Sequence, residues 1–85
     1  MRKNGEEIME YLKIKDDVDL KELEKFGFEK DYHNFNGEIR ELYTYGEMII
    51  FVDTREVYSF KMRMQTVIKL FDITQAGLVE KVREI

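Results

Sequence analysis

His33 is the only histidine in the chain, and cysteine is absent. Transition-metal sites draw most of their ligands from those two residue types. One imidazole without a thiolate is too small a donor set, so His33 reads as an exposed histidine at a strand end. The run Asp16-Asp17-Val18-Asp19 offers oxygen ligands instead. An EF-hand loop needs glycine at its sixth position and glutamate at its twelfth. Counted from Asp17, those positions hold Glu22 and Phe28. The pattern fails, and the acids read as a helix start, where the macrodipole favours negative charge. The single serine, Ser59, falls inside an expected strand and far from His33 in sequence, which suggests no nucleophile–base pair. Glu38 with Glu41, or Glu47 with Asp53, are conceivable acid–base pairs, but carboxylates this frequent identify nothing without a pocket. The five glycines are scattered through turns, caps and a helix start, and build no phosphate loop. The sequence names no catalytic residue, no cofactor-binding residue and no metal ligand, and the expectation is a protein that is not an enzyme.

The elements that would position any site belong to one domain, residues 1–85, of a length that buries only a small core. Without a disulfide, its stability must come from packing, and 13% aromatic residues can supply that. The fold class expected is α+β: two short N-terminal helices, a four-stranded antiparallel β-meander, one amphipathic helix on the sheet and a short C-terminal strand. Asn4 and Glu7 make a capping box for a helix from Gly5 to about Lys13, with an apolar stripe of Ile8, Met9, Tyr11 and Leu12. A second helix, Leu20 to about Phe26, carries four signals. These are the Asp19 cap with Glu22, the Val18–Leu23 staple, Gly27 just past the end, and Phe28 placed to touch Leu23.

Strands follow at Phe28–Asn34, Glu38–Tyr45, Glu47–Asp53 and Glu56 to about Lys61. Asn36-Gly37 forms the first hairpin turn, because both residues tolerate the positive φ of a type I′ turn. Placing Asp53 opposite Glu56 pairs Phe51 with Tyr58 and Ile49 with Phe60. Met64, Val67, Ile68 and Phe71, widened by Leu70 and Ile73, then form the stripe of a helix expected to lie across the sheet and to end at Gly77. Leu78–Val82 is expected to be a strand.

Charge and hydropathy limit the partners. Net charge is −4; residues 1–54 hold 8 Lys and Arg against 14 Asp and Glu, and residues 55–85 hold 6 against 4. An acidic chain is repelled by phosphates, so nucleic acid is not the expected partner. Tyr32, Tyr43, Tyr45 and Tyr58 could stack on bases, but such sheets carry Lys and Arg between their aromatics. Here the neighbours are mainly Glu and Asp, and cross-strand packing is the better use. The longest apolar run, Met48–Val52, is far below the ~20 residues of a membrane helix. Met1-Arg2-Lys3 leads into polar residues and no signal-peptide core. A soluble, cytoplasmic protein is expected.

Two surface features stand out. Lys61 and Arg63 precede the long helix at a start with no good N-cap, and are candidate contacts for an anion or a partner's carboxylate. The hairpin from Met48 to Lys61 is apolar on both sides, with Ile49, Phe51, Tyr58 and Phe60 on one and Met48, Ile50, Val52 and Val57 on the other. One helix can cover only one side. The second set is therefore a candidate interface, to be covered by the first helix through Ile8, Met9 and Leu12 or by a second copy in a twofold homodimer.

Ile73-Thr74-Gln75-Ala76-Gly77-Leu78-Val79-Glu80-Lys81-Val82 resembles the opening of a repressor-type helix-turn-helix. Gly77 falls inside what would be its first helix, and no recognition helix follows before Ile85. The longer segment Leu70–Val82 resembles the C-terminus of small uncharacterised phage and prophage proteins of low-GC Gram-positive bacteria. Those end in a Leu-Tyr-Asp-Leu-Ile-(Lys/Gln)-Ala-(Gly/Asp)-Leu-Val-Glu-Lys-Val type of segment after a β-meander. Phe71 stands where tyrosine is usual and Thr74 where isoleucine is commoner. The resemblance implies a mobile-element source and no activity. The function expected is a non-catalytic accessory module acting through an unknown protein partner, with a nucleic-acid-associated regulator as the alternative.

Overall fold

The computed structural model describes residues 9–84. Its elements in chain order are strand β1 (Met9–Ile14), a 3-10 helix (Leu20–Phe26), strands β2 (Glu29–Phe35), β3 (Glu38–Tyr45), β4 (Met48–Phe51) and β5 (Glu56–Ser59), helix α1 (Met64–Gln75) and strand β6 (Val79–Glu84). The α+β class is as expected, but the sheet has six strands in the order β2-β3-β4-β5-β1-β6, every pair antiparallel. Strands β5 and β6 both run antiparallel to β1 and therefore parallel to each other. The chain must cross over between them, and α1 makes that crossing.

The largest departure from the sequence reading is β1. The expected first helix is a strand from Met9 onward, while Asn4, Glu7 and Ile8 lie outside the described residues. Its backbone pairs with β6 from Met9↔Glu84 to Ile14↔Val79, and with β5 at Leu12↔Val57. A short isolated helix is marginal; here two flanking strands satisfy the ladder on both sides and override the local pattern. Ile14 then drops fully buried into the core.

Local signals held where they were dense. Asp19 Oδ1 accepts from the Lys21 N–H at 2.9 Å, and Gly27 sits at φ 92°. The Phe28 N–H donates to the Leu23 carbonyl and the Gly27 N–H to that of Glu24, closing a Schellman turn. The helix is 3-10 rather than α, with a single fully buried side chain, Leu23. Asn36 and Gly37 have φ 54° and 87°, and Asn34 Oδ1 accepts from the Gly37 N–H at 2.7 Å, with Phe35 opposite Glu38. The C-terminal segment is a strand, as expected, and Leu78 reaches back to Ile73 through a second Schellman bond of 3.0 Å.

The β4–β5 register is two residues from the expected one: Ile49 faces Tyr58 and Ile50 faces Val57. The loop is Val52–Arg55, longer than a two-residue turn, and is closed by the Arg55 N–H to the Phe51 carbonyl at 2.8 Å. A shift of two keeps every side chain on its face. Arg55 adopts φ 67°, and its guanidinium donates to the Lys15 and Val18 carbonyls at 2.8 and 2.7 Å. It thereby ties the loop before the 3-10 helix to the sheet.

One face of the sheet is covered by both helices. The core there contains Ile14, Leu23, Phe28, Tyr43, Met48, Ile50, Ile73 and Leu78. Burial and the neighbouring Glu24 carboxylate push the Tyr43 phenol above its ordinary pKa. The docking side of α1 is Thr66, Leu70 and Ile73, spaced i, i+4, i+7. Of the stripe expected to face the sheet, Leu70 and Ile73 do so, while Met64, Val67, Ile68 and Phe71 point outward. The Ile73–Leu78 turn fixes the rotation of the helix, and one turn after another this carries Leu70 and Thr66 inward. The Thr66 hydroxyl is consequently buried without a hydrogen-bond partner. Thr66→Val, nearly the same shape without the orphaned hydroxyl, is expected to stabilise the fold by about 1 kcal/mol. Urea unfolding checks this, and a lowered midpoint would show that the hydroxyl is satisfied.

Candidate functional site

Among the described residues no helix lies on the other face of the sheet, and the side chains there build a groove. Strand alternation sets Phe35 (β2), Arg40 and Leu42 (β3), Ile49 and Phe51 (β4) and Tyr58 (β5) on this side. Just past β5, Phe60 completes the rim; its N–H donates to the Glu47 carbonyl at 3.1 Å. The groove is about 310 Å³ and is lined by Phe35, Arg40, Ile49, Phe51, Tyr58, Ser59 and Phe60. Its floor is an aromatic row across the strands. Phe35 and Phe51 have ring centroids 5.6 Å apart at 62°, and Phe51 and Tyr58 are 5.5 Å apart at 79°. These edge-to-face contacts are favourable beyond the area they bury.

The one cation of the groove is already engaged. The Arg40 guanidinium lies 3.9 Å over the Phe51 ring, and its Nη2 donates to Asp53 Oδ1 at 2.7 Å. That bond, with the Thr54 N–H, holds the Asp53 carboxyl below the usual carboxylate range. Tyr58 donates to Glu56 Oε1 at 3.2 Å, and burial raises its phenol. The groove therefore offers apolar and aromatic surface with an internally neutralised ion pair; its one serine, Ser59, has its hydroxyl donating to the Lys61 carbonyl at 2.7 Å. Its chemical capacity is to receive an apolar side chain.

The candidate interface residues lie elsewhere. Met48 and Ile50 are fully buried beneath the helices, and Val52 and Val57 pack partly buried against the same core. The covered and open faces are thus the reverse of the expected arrangement, and the cover comes from the 3-10 helix and α1 rather than from residues 5–13. Lys61 and Arg63 are both exposed. Arg63 is the N-cap residue of α1, with no side-chain cap, as the sequence suggested. Arg63 Nε lies 3.2 Å from Glu47 Oε2, so the carboxylate it meets is this chain's own. Glu47 also places a second, unpartnered buried oxygen, Oε1, beside that contact; a carboxylate there opposes an anion. Asp31 and His33 lie 3.1 Å apart on β2. Among the described residues, no group of three or more His, Asp and Glu is placed to hold a metal ion. No helix among them is long and apolar enough to cross a membrane.

Sequence reasoning set Ile49, Phe51, Tyr58 and Phe60 on one apolar face but named the opposite face as the candidate interface, and it missed Phe35 and Arg40. The signal for both was present. A two-residue turn at Asn36-Gly37 sets Phe35 opposite Glu38, and strand parity then puts Phe35, Glu38, Arg40 and Leu42 on one face.

Over the described residues the fold is a six-stranded antiparallel sheet with two helices on one side and an aromatic groove on the other. No protein-family model, no curated protein and no solved structure matches the chain.

Proposed function

We propose that the chain is a non-catalytic protein-binding module whose open sheet face receives an apolar or aromatic side chain from a partner protein. The observation that carries this reading is the groove itself: an aromatic floor whose only cation, Arg40, is bound to Asp53. Its volume is at the lower end for small-molecule pockets and suits one anchoring side chain of a larger surface. Glu38, paired across the strands with Phe35, and Glu56, which accepts from Tyr58, lie beside it, so the matching segment carries Lys or Arg beside its anchor. The same acids oppose a phosphate backbone, which disfavours the nucleic-acid alternative. The resemblance of Leu70–Val82 adds a setting: an accessory protein of a mobile element.

Selection of a displayed random-peptide library on the purified chain tests the reading. Enriched peptides are expected to hold an aromatic or leucine anchor next to basic residues, and to lose at least about tenfold in affinity against Phe60→Ser. Phe60 is largely exposed, so this change leaves the fold intact. Peptides that bind the variant as well as the parent, or enrichment of none, would overturn the groove as the binding site.

A further inference from the structure

Helix α1 presents an apolar stripe on the side facing away from its own sheet. Met64 is 74% exposed, Val67 44%, Ile68 52% and Phe71 59%, and Met62 just before the helix is 56% exposed. These positions follow the a, d, e, a spacing of a helix–helix seam. From Met64 to Phe71 the helix has one charged residue, Lys69, and its ammonium turns away to lie 4.7 Å over the chain's own Tyr45 ring. A helix that already buries Thr66 and Ile73 and packs Leu70 against the core gains nothing for its own fold from a second apolar side.

We infer that α1 is one half of a homodimer contact, in which two copies pack this stripe antiparallel about a twofold axis passing between Val67 and Ile68. This does not rest on the sheet groove, which lies on a different surface. Three features select a second copy in this orientation. The stripe is self-complementary: reversal about its centre sets flexible Met64 against the Phe71 ring, which it can adapt to, and the smaller Val67 against Ile68 at the axis. The ends match in charge. Lys61 precedes the N-terminus of α1 as an exposed cation that opposes its macrodipole, Arg63 there is shared with the chain's own Glu47, and no acidic residue occupies the first turn. An antiparallel neighbour brings its negative helix end and Asp72 to that position, whereas a parallel neighbour would stack cations on cations. The area is also sufficient. Fully covered, the exposed fractions of these five side chains offer at most on the order of 500 Å² per copy. Two copies then bury about 1,000 Å², the lower bound for a specific interface.

An interface of that size gives a reversible dimer. Sedimentation equilibrium from about 10 µM to about 1 mM is expected to show the mass rising from the 10.3 kDa chain toward twice that value. Ile68→Glu should hold the protein monomeric across the range, with an unchanged circular dichroism spectrum because Ile68 faces solvent. The absence of cysteine permits a second, independent reading of the geometry. Val67→Cys, beside the axis, is expected to form a disulfide-linked dimer under mild oxidation, while Met64→Cys alone, nearly a full turn from the axis and so about 10 Å along the helix from its own copy, is not. An equimolar mixture of Met64→Cys and Phe71→Cys should cross-link. A constant monomer mass, an Ile68→Glu protein that still dimerises, or Met64→Cys linking to itself as readily as Val67→Cys would each overturn the arrangement.

Discussion

Ile50→Lys is expected to abolish folding. Ile50 lies in the middle of β4, between Tyr43 and Val57 on its two neighbouring strands, and none of its surface is exposed. The core around it contains Ile14, Leu23, Met48 and Ile73, with no carboxylate among its buried members. An ammonium placed there would lose several kcal/mol of hydration without a partner, or deprotonate at a similar cost. A domain of this length has only about 4–13 kcal/mol of total stability. Most molecules are therefore expected to be unfolded at 25 °C, with loss of the β signal in far-UV circular dichroism and collapsed amide dispersion in NMR. Ile39→Lys is the matched control. Ile39 is 68% exposed on β3, and its replacement should leave the spectrum unchanged. An Ile50→Lys protein with the parent's unfolding midpoint would mean that the helices cover the opposite face.

The second large effect is at Leu23. Leu23→Ala is expected to cost about 2–4 kcal/mol, the range for a buried leucine that leaves a cavity behind. Leu23 is the one fully buried residue of the 3-10 helix, and its carbonyl also accepts the Phe28 N–H that closes the helix. The helix has no other full anchor on the sheet. Loss of this side chain should therefore lower the denaturant midpoint and also raise hydrogen exchange across residues 20–28 ahead of the strands. A shift equivalent to less than about 0.5 kcal/mol would show that Leu23 does not carry the docking.

These two positions differ in how far they were legible. Leu23 sits among short-range signals, Asp19, Gly27 and Phe28, all within a few residues. Each acts through a local hydrogen bond or a left-handed backbone angle, so the cap, the turn and the contact could be placed without knowing the fold. Ile50 was identified as apolar and placed on its face by alternation, but whether that face was covered depended on which side of the sheet α1 would choose. Residues 64–73 are apolar around most of the helix. The pattern therefore fitted a docking face of Met64, Val67, Ile68 and Phe71 as well as the true one of Thr66, Leu70 and Ile73.

The groove shows the same division. Ile49, Phe51, Tyr58 and Phe60 share a face in either register, because the two registers differ by two residues and side-chain direction repeats every two. Phe35 was one parity step beyond that reading. The contact of Arg40 with both the Phe51 ring and Asp53 needed the three strands side by side.

By itself the sequence determined the α+β class, the Asn36-Gly37 turn, the capped helix at Leu20–Phe26, the helix ending before Gly77 and the strand after it. Each depends on interactions within about six residues, which are the same in any compact arrangement of the chain. Only the tertiary structure decided that Met9–Ile14 is a strand, that the sheet has six strands, and that the helices cover the Met48 and Ile50 face while leaving the aromatic face open. The ladder that converts Met9–Ile14 into a strand comes from Glu56–Val57 and Val79–Glu84, more than forty residues away. No local periodicity encodes a partner at that distance, and its backbone hydrogen bonds on both sides outweigh the small helical preference of a six-residue segment.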